Sequence, residues 1–276
     1  MSIDRPVCGA LFSKKDVRDY KIDCATQTNF PFKFELKMPK VKDQGKINSC
    51  VACSIATVIE YYNAKQLNHN EDMSIGYIYG NRTNTKYKDK GMYTRDAIAS
   101  ACKYGDVSYN LFPYNEEVPE IIDKFTKQSK ELFEKGYPNR FSSYVKLSTN
   151  SEIKTFLMQN GPVIFAIPWY DDIKVVNGVI NTTQQGDAGG HCMVIYGWDE
   201  RGWKIQNSWS PSWGNNGRAI LPYGVKLREI WGIIDNITTS ETKIIKPYNS
   251  SVGNIVAKVL NVLANGMCSL LKSFTR

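Results

Sequence analysis

The sequence predicts an α+β chain of two lobes, a helical one followed by a β-rich one. Two observations carry that expectation. Between residues 50 and 135 the apolar side chains recur at helical spacing. From Ser143 onward the apolar runs are short, β-rich and bounded by Gly, Pro, Asn or Asp. A length of 276 residues is enough for one or two domains of ~100–200 residues with a sizeable core.

The elements follow in order. Residues 1–40 form an N-terminal arm containing Asp16-Val17-Arg18-Asp19-Tyr20 and a strand-like stretch over 30–34. After Cys50, the residues Val51, Ala52, Ile55, Ala56, Val58, Ile59 and Tyr61 form a run without Pro or Gly, which reads as a buried helix with Asn48 and Ser49 suited to cap it. Residues 74–79, 94–102 and 119–135 are helix-like too, the last with Phe125, Leu132 and Phe133 opposite a Lys/Glu-rich face. Strands are expected over 163–167, 192–197, 203–207 and 217–222, with Asp199-Glu200-Arg201-Gly202 turning one into the next. The expected boundaries are 1–40 for the arm, 41–142 for the helical lobe, 143–236 for the β lobe and 237–276 for a C-terminal extension. In that extension Val252, Val256, Val259, Leu263, Met267, Leu270 and Phe274 recur at helical spacing, and Lys258, Asn261, Asn265, Ser269 and Lys272 fall opposite. This basic amphipathic stripe suits a membrane surface, a partner or the chain's own lobe, and Gly253 and Gly266 weaken it as an isolated helix.

Composition narrows the class. A hydrophobic content of 42% indicates a globular, soluble chain, and no stretch approaches the ~18 apolar residues of a membrane span. Residues 1–15 lack an apolar core flanked by positive charge, so no secretory signal is expected. The net charge of +8 is dispersed, with no RNP-type or zinc-finger pattern, so nucleic acid is not an expected partner. Seven cysteines without a repeated spacing suit reduced thiols in a cytosol-like compartment. Cys50-Val51-Ala52-Cys53 lacks the second pair or spaced His that zinc needs, so neither metal nor cofactor is expected. The Asn-x-Ser/Thr sites at Asn81, Asn181, Asn236 and Asn249 carry no meaning in such a compartment.

A catalytic cysteine needs its thiol pKa lowered by a helix N-terminus, an adjacent imidazolium or both. Cys50 stands in the first turn of the expected helix, where unpaired N–H groups favour a thiolate. The chain has only two histidines. His69 lies in the polar stretch 66–72, whereas His191 follows Ala188-Gly189-Gly190 and opens an apolar strand, so His191 is the expected base. His69 reads as a solvated loop residue, and Cys53 and Cys192 as core thiols.

Gln44-Gly45 before Ser49-Cys50, Gly190-His191 before an apolar strand, and Asn207-Ser208-Trp209 followed by Trp213-Gly214-Asn215-Asn216-Gly217-Arg218 together resemble the papain-like cysteine peptidases. His191 and Asn207 lie 141 and 157 residues after Cys50, in that family's order. The likeness covers most of residues 41–235, including Lys90-Gly91-Met92-Tyr93, Asn160-Gly161-Pro162-Val163 and Trp231-Gly232-Ile233-Ile234. It is nearest to the bacterial and viral branch, without a long inhibitory propeptide, in which Arg18-Asp19-Tyr20 precedes the cysteine and a Gly-Gly-His carries the base.

The resemblance implies a papain-like fold, with the thiol on the helical lobe and the base on an antiparallel, barrel-like β lobe. It implies a cysteine endopeptidase working through a thioester, with Cys50 as nucleophile and His191 as base and then acid. Asn207 would orient the imidazole, and Gln44 with the Cys50 N–H would form the oxyanion hole. Trp209 would shield the His–Asn bond, and Gly91 would leave backbone open to an extended substrate, with Gly190 beside the base. Met92 and Tyr93, with residues 226–229 opposite, either line a substrate pocket or simply pack. Protein or peptide substrates and a cytoplasmic or virion-associated setting are the corresponding expectations. One departure concerns the family's Cys-Gly-Ser-Cys-Trp signature, which reads Ile47-Asn48-Ser49-Cys50-Val51 here. The loop disulfide cannot form and an aromatic wall is lost. A non-catalytic protein of the same fold and a related amidase or transpeptidase are the alternatives. The arm either regulates the cleft or completes the β lobe.

Overall fold

The run after Cys50 is apolar on nearly every side, and the fold buries it accordingly. In the computed structural model, which describes residues 8–14, 16, 19, 29–82, 91–114 and 118–235, helix α1 (Cys50–Leu67) is buried continuously from Cys50 to Asn63. Two short strands precede it, β1 (Ala10–Leu11) and β2 (Phe34–Glu35). There follow α2 (Ile75–Gly80), β3 (Met92–Tyr93), α3 (Thr94–Tyr104) and α4 (Val118–Gly136). The β-rich part then comprises β4 (Ser143–Lys146), α5 (Asn150–Gln159), β5 (Val163–Tyr170), β6 (Lys174–Val176), β7 (Val179–Asn181), β8 (Ala188–Asp199), β9 (Gly202–Gln206), β10 (Arg218–Pro222) and β11 (Glu229–Ile234). The architecture is α+β and two-lobed.

One sheet runs in the order β4-β11-β5-β8-β9-β10-β7-β6, with β2 added against β8. Its pairs are antiparallel apart from the single parallel contact between β10 and β7. Because side chains alternate across a strand, β5 and β8 supply two cores at once. Ile164, Ala166, Cys192 and Val194 join α1 to α4 in the first, with Trp231 and Ile233 from β11. Val163, Phe165, Ile167, Met193 and Ile195 face the other way and pack with Trp198, Trp203 and Ile153, Phe156 and Leu157 of α5.

Several expectations shift in detail. The stretch over 30–34 is a strand only at Phe34–Glu35, where Phe34 stacks on Trp198 at 4.9 Å and 26°. Helix α5 was not anticipated, although Thr149 and Glu152 form a full capping box at its start. The β6–β7 hairpin also went unread; Asn177 and Gly178, at φ of 50° and 76°, make the turn that an Asn-Gly pair favours. The turn at 199–202 is as expected, with Asp199 paired to Gly202.

A first unit spans Met1–Ile237 and a second Thr238–Arg276, the latter outside the described residues along with the amphipathic stripe read there. Arg18, Tyr20, Lys90, Asn236 and Asn249 lie outside them as well. No described helix is long and apolar enough to cross a membrane.

Asp106, just after α3, is fully buried. Its Oδ1 accepts the Val107 N–H at 2.8 Å, and its Oδ2 has no hydrogen-bond partner among the described residues. Burial pushes this carboxyl well above the usual range, against the pull of the Val107 N–H and Lys42. A raised folded-state pKa favours the fold below about pH 4, where both states are protonated, and that contribution is lost as pH rises, because only the unfolded chain ionises freely. Asp106→Asn should therefore raise the Tm relative to wild type at pH 8 and leave it nearly unchanged at pH 4. Thermal unfolding of both proteins across that range checks the sign.

Candidate active site

His191 sits near the start of β8, where Ala166–Cys192 and Ile167–His191 pairings with β5 fix the strand. The β8–β9 hairpin sets Val194 against Gln206, so Asn207 emerges beside the base one residue after β9 ends. The His191 Nε2 lies 2.7 Å from Asn207 Oδ1. That Oδ1 also accepts the Ser208 N–H at 2.8 Å, which identifies it as the amide's oxygen end. A carbonyl oxygen can only accept, so Nε2 carries the proton, and in the neutral ring Nδ1 holds the lone pair. Nδ1 is buried and has no hydrogen-bond partner among the described residues. The ring is therefore presented as a base through one defined nitrogen.

Aromatic side chains hold the imidazole. Trp209 stacks on it at 4.4 Å and 23°, and Trp169 meets it edge-on at 5.2 Å and 80°. Trp169 contacts Trp209 at 4.8 Å, and Trp213 closes on both. Trp209 and Trp213 were flagged in the sequence. Trp169 was not, though its position two residues beyond Ile167 on the same face of β5 was a usable signal. His191 is 0% exposed, and this burial lowers its pKa to about 4 despite the opposing Asn207 bond. His69 stands apart, exposed and 3.1 Å from Glu71.

Cys50 opens α1, as expected, but the local chemistry differs in two respects. Ser49 occupies the cap position yet its side chain makes no capping bond. The thiol is also 0% exposed, and burial pushes its pKa up; backbone N–H groups of Cys192, Gly9 and Val51 pull it back only in part. The helix terminus expected to favour a thiolate is present, but desolvation outweighs it in this closed arrangement. Both shifts favour the uncharged form. Cys50, Cys53, Cys102 and Cys192 are free thiols, and burial raises the latter three as well.

Gln44 is fully buried and tied to the His191 side of the site. Its Oε1 accepts from Ser208 Oγ at 2.7 Å, its N–H donates to Ser208 O at 2.9 Å, and its Nε2 donates to Ile47 O at 2.9 Å. Two residues earlier, Lys42 anchors the loop to α1. Its Nζ lies 2.6 Å from Glu60 Oε1, 3.0 Å from Asp72 Oδ1 and 3.2 Å from Met73 O. Ser208 thus joins both halves of the site, a role the sequence reading did not single out.

The remaining flagged residues meet the N-terminal arm. Met92 N–H donates to Gly9 O at 2.7 Å, and β1 runs parallel to β3 with Ala10 opposite Met92 and Leu11 opposite Tyr93. A Cβ on Gly91 would stand 1.6 Å from Gly9 O, and one on Gly190 would stand 1.9 Å from Ala10 O. Glycine is needed at both places because backbone lies directly against them. Met92 is buried and Tyr93 exposed. Opposite, buried Glu229 accepts the Ser13 N–H, and Arg228 covers the Phe12 ring at 4.8 Å. Farther along the arm, Asp19 lies 3.2 Å from Arg95 of α3 and 3.3 Å from Lys146 of β4, so one carboxylate holds both lobes.

The family model for papain family cysteine proteases matches residues 29–233. An uncharacterized peptidase C1-like protein of Acanthamoeba polyphaga mimivirus is 24% identical over 77% of this chain and 76% of its own length. A cysteine protease of Blomia tropicalis is 24% identical over 71% of this chain and 61% of its own. In fold, the chain is similar to xylellain, a cysteine protease from Xylella fastidiosa, with a TM-score of 0.75, 23% identity, and coverage of 84% of this chain and 97% of that one. With a family match spanning well over half its length, the chain belongs to the papain family of cysteine proteases.

Proposed function

We propose that this peptidase cleaves extended polypeptides with Cys50 as nucleophile, His191 as base and acid, Asn207 as the group that orients the ring, and Gln44 in the oxyanion hole. The observation that carries the assignment is the bare, buried Nδ1 of an imidazole whose Nε2–H is committed to Asn207. Once the cleft admits substrate, Nδ1 takes the Sγ proton and the thiolate attacks the scissile carbonyl carbon. The carbonyl oxygen, now negative, is received by the Gln44 side-chain amide and the Cys50 backbone N–H. The imidazolium then protonates the departing amine, leaving a thioester. Water deprotonated by Nδ1 hydrolyses it and restores the thiol.

A peptide, as opposed to a small amide, is supported by what the cleft already accommodates. Residues 8–14 lie across it as extended backbone, with Gly9 at the thiol and the chain continuing toward Arg95. A cleft that the chain passes through fits an endopeptidase. The parallel pairing with β3 and the fully buried thiol make this a latent form whose arm must yield before turnover. The alternative structural role for the arm fits its second strand, since β2 pairs with β8 of the nine-stranded sheet, whereas β1 pairs with β3 beside the thiol. The free buried thiols suit a reducing, cytoplasm-like or virion setting. For the basic extension beyond residue 236 the proposal is surface docking, to a membrane or a partner.

Cys50→Ala should lower hydrolysis of unstructured peptides by about 10⁴-fold or more with the fold intact, and His191→Ala comparably. Asn207→Ala should lie between these and wild type, while Cys53→Ala and His69→Ala stay near wild type. Steady-state kinetics with circular dichroism decides; wild-type turnover by Cys50→Ala would remove the assignment. For latency, Asp19→Asn breaks the contacts to Arg95 and Lys146 and should raise turnover several-fold, as should deletion of residues 1–28. Unchanged or reduced turnover in Asp19→Asn would show that the arm does not gate the cleft. A chain ending at Asp235 should keep peptidase activity and lose liposome sedimentation or self-association; failure to fold would end the docking proposal.

A further inference from the structure

The hydroxyl of Ser49 has an unusual allocation. Serine at a helix N-cap ordinarily accepts a hydrogen bond from a first-turn N–H. At α1 that bond is absent, and Ser49 Oγ lies instead 2.8 Å from the phenol oxygen of Tyr114, between α3 and α4. The Tyr114 hydroxyl in turn lies 2.7 Å from the backbone carbonyl of Gln44. A carbonyl can only accept, so the single phenolic proton goes to Gln44 O. Ser49 must therefore be the donor to Tyr114. The result is a directed relay from Ser49 O–H through Tyr114 O–H to Gln44 C=O.

Its two ends matter. Gln44 carries the side-chain amide proposed for the oxyanion, and Ser49 immediately precedes the backbone N–H proposed as the second donor. Between them the loop is held from the other side by Ser208, through Gln44 Oε1 and Gln44 N–H. A helix cap is forgone, and a buried hydroxyl is committed to spanning the five residues that separate the two donors. We propose that Tyr114 is a positioning residue that sets the spacing of the two oxyanion donors, acting through Ser49 and the Gln44 carbonyl without touching substrate. The inference rests on the catalytic reading given above and extends it to a residue outside the Cys–His–Asn–Gln set.

The chemistry distinguishes positioning from mere support. Acylation by a peptide places negative charge on the substrate oxygen, as does the hemithioacetal formed from a peptide aldehyde. Alkylation of Cys50 by iodoacetamide breaks a carbon–iodine bond, releases iodide and develops no oxyanion. A loosened donor pair should slow the first, weaken the second and leave the third alone. Freed from Tyr114, Ser49 can also turn to cap α1, so stability need not fall.

The experiment uses the full-length chain, reduced, with wild type beside Tyr114→Phe, Ser49→Ala and the double variant. In Tyr114→Phe, kcat should fall about tenfold with KM little changed, and peptide-aldehyde affinity should fall in parallel. The iodoacetamide rate and the Tm should stay within about twofold and a few degrees of wild type. The double variant should lose no more than either single one, because both cut the same relay. Equal losses in alkylation and hydrolysis, or additive losses in the double variant, would overturn the proposal. So would an unchanged kcat in a wild-type-like fold. Should Tyr114→Phe fail to fold, Ser49→Ala carries the same comparison. A wild type that neither hydrolyses peptides nor binds the aldehyde, and gains neither when Asp19→Asn frees the arm, would instead overturn the catalytic reading itself.

Discussion

The hydrogen bond from His191 Nε2–H to Asn207 Oδ1 is the constraint on which the rest of the site depends. It chooses the tautomer, and the tautomer chooses which nitrogen faces chemistry. A 2.7 Å contact inside a cage of Trp169, Trp209 and Trp213 leaves the ring little freedom to rotate. The bond exists because a two-residue turn folds β9 back on β8 and delivers Asn207 next to the start of the strand bearing His191. Ser208, adjacent in sequence, then fixes both the Asn207 amide and Gln44. His191, Asn207 and Gln44 are thereby linked through one short segment of backbone.

Against that rigidity stands the desolvation of the thiol and the imidazole. With residues 8–14 across the cleft, Cys50 and His191 are wholly buried, the thiol is pushed up and the imidazole down to about 4. Each shift favours the uncharged form, so a thiolate–imidazolium pair is disfavoured in this buried arrangement. Occlusion and electrostatics act in the same direction. Among the described residues the arm is held by the β1–β3 pairing, the Ser13–Glu229 bond, Arg228 over Phe12, and Arg95 and Lys146 on its carboxylates and backbone. Gly91 and Gly190 let the arm's backbone lie directly against the surface beneath it.

Much of this was legible in the residues themselves. The apolar-rich run after Cys50, without Pro or Gly, read as a buried helix, and the change in periodicity at Ser143 marked the passage to strands. The position of His191 before an apolar strand distinguished it from His69. What escaped was local or long-range in kind. α5 was missed although Thr149 and Glu152 spell out its cap, because a helix was not sought among strands. Trp169, Ser208 and Tyr114 act through contacts with residues distant in sequence, and no short-range pattern reports such contacts. Ser49 misled for a related reason: its chemistry suits a cap, but a phenol 65 positions away claims the hydroxyl. The thiol's upward shift comes from its complete burial, which the local sequence does not disclose.

The proposal at the centre of this account is that Cys50 is the nucleophile and His191 Nδ1 its base. The most direct measurement is covalent capture by an epoxide peptide analogue, which a thiolate opens at carbon while an acid protonates the alkoxide, followed by mass-spectrometric mapping of the adduct. The account predicts a single adduct at Cys50 that disappears in His191→Ala and forms faster when residues 1–28 are removed. Labelling at Cys53, Cys102 or Cys192, or labelling of Cys50 that is indifferent to loss of the imidazole, would contradict it.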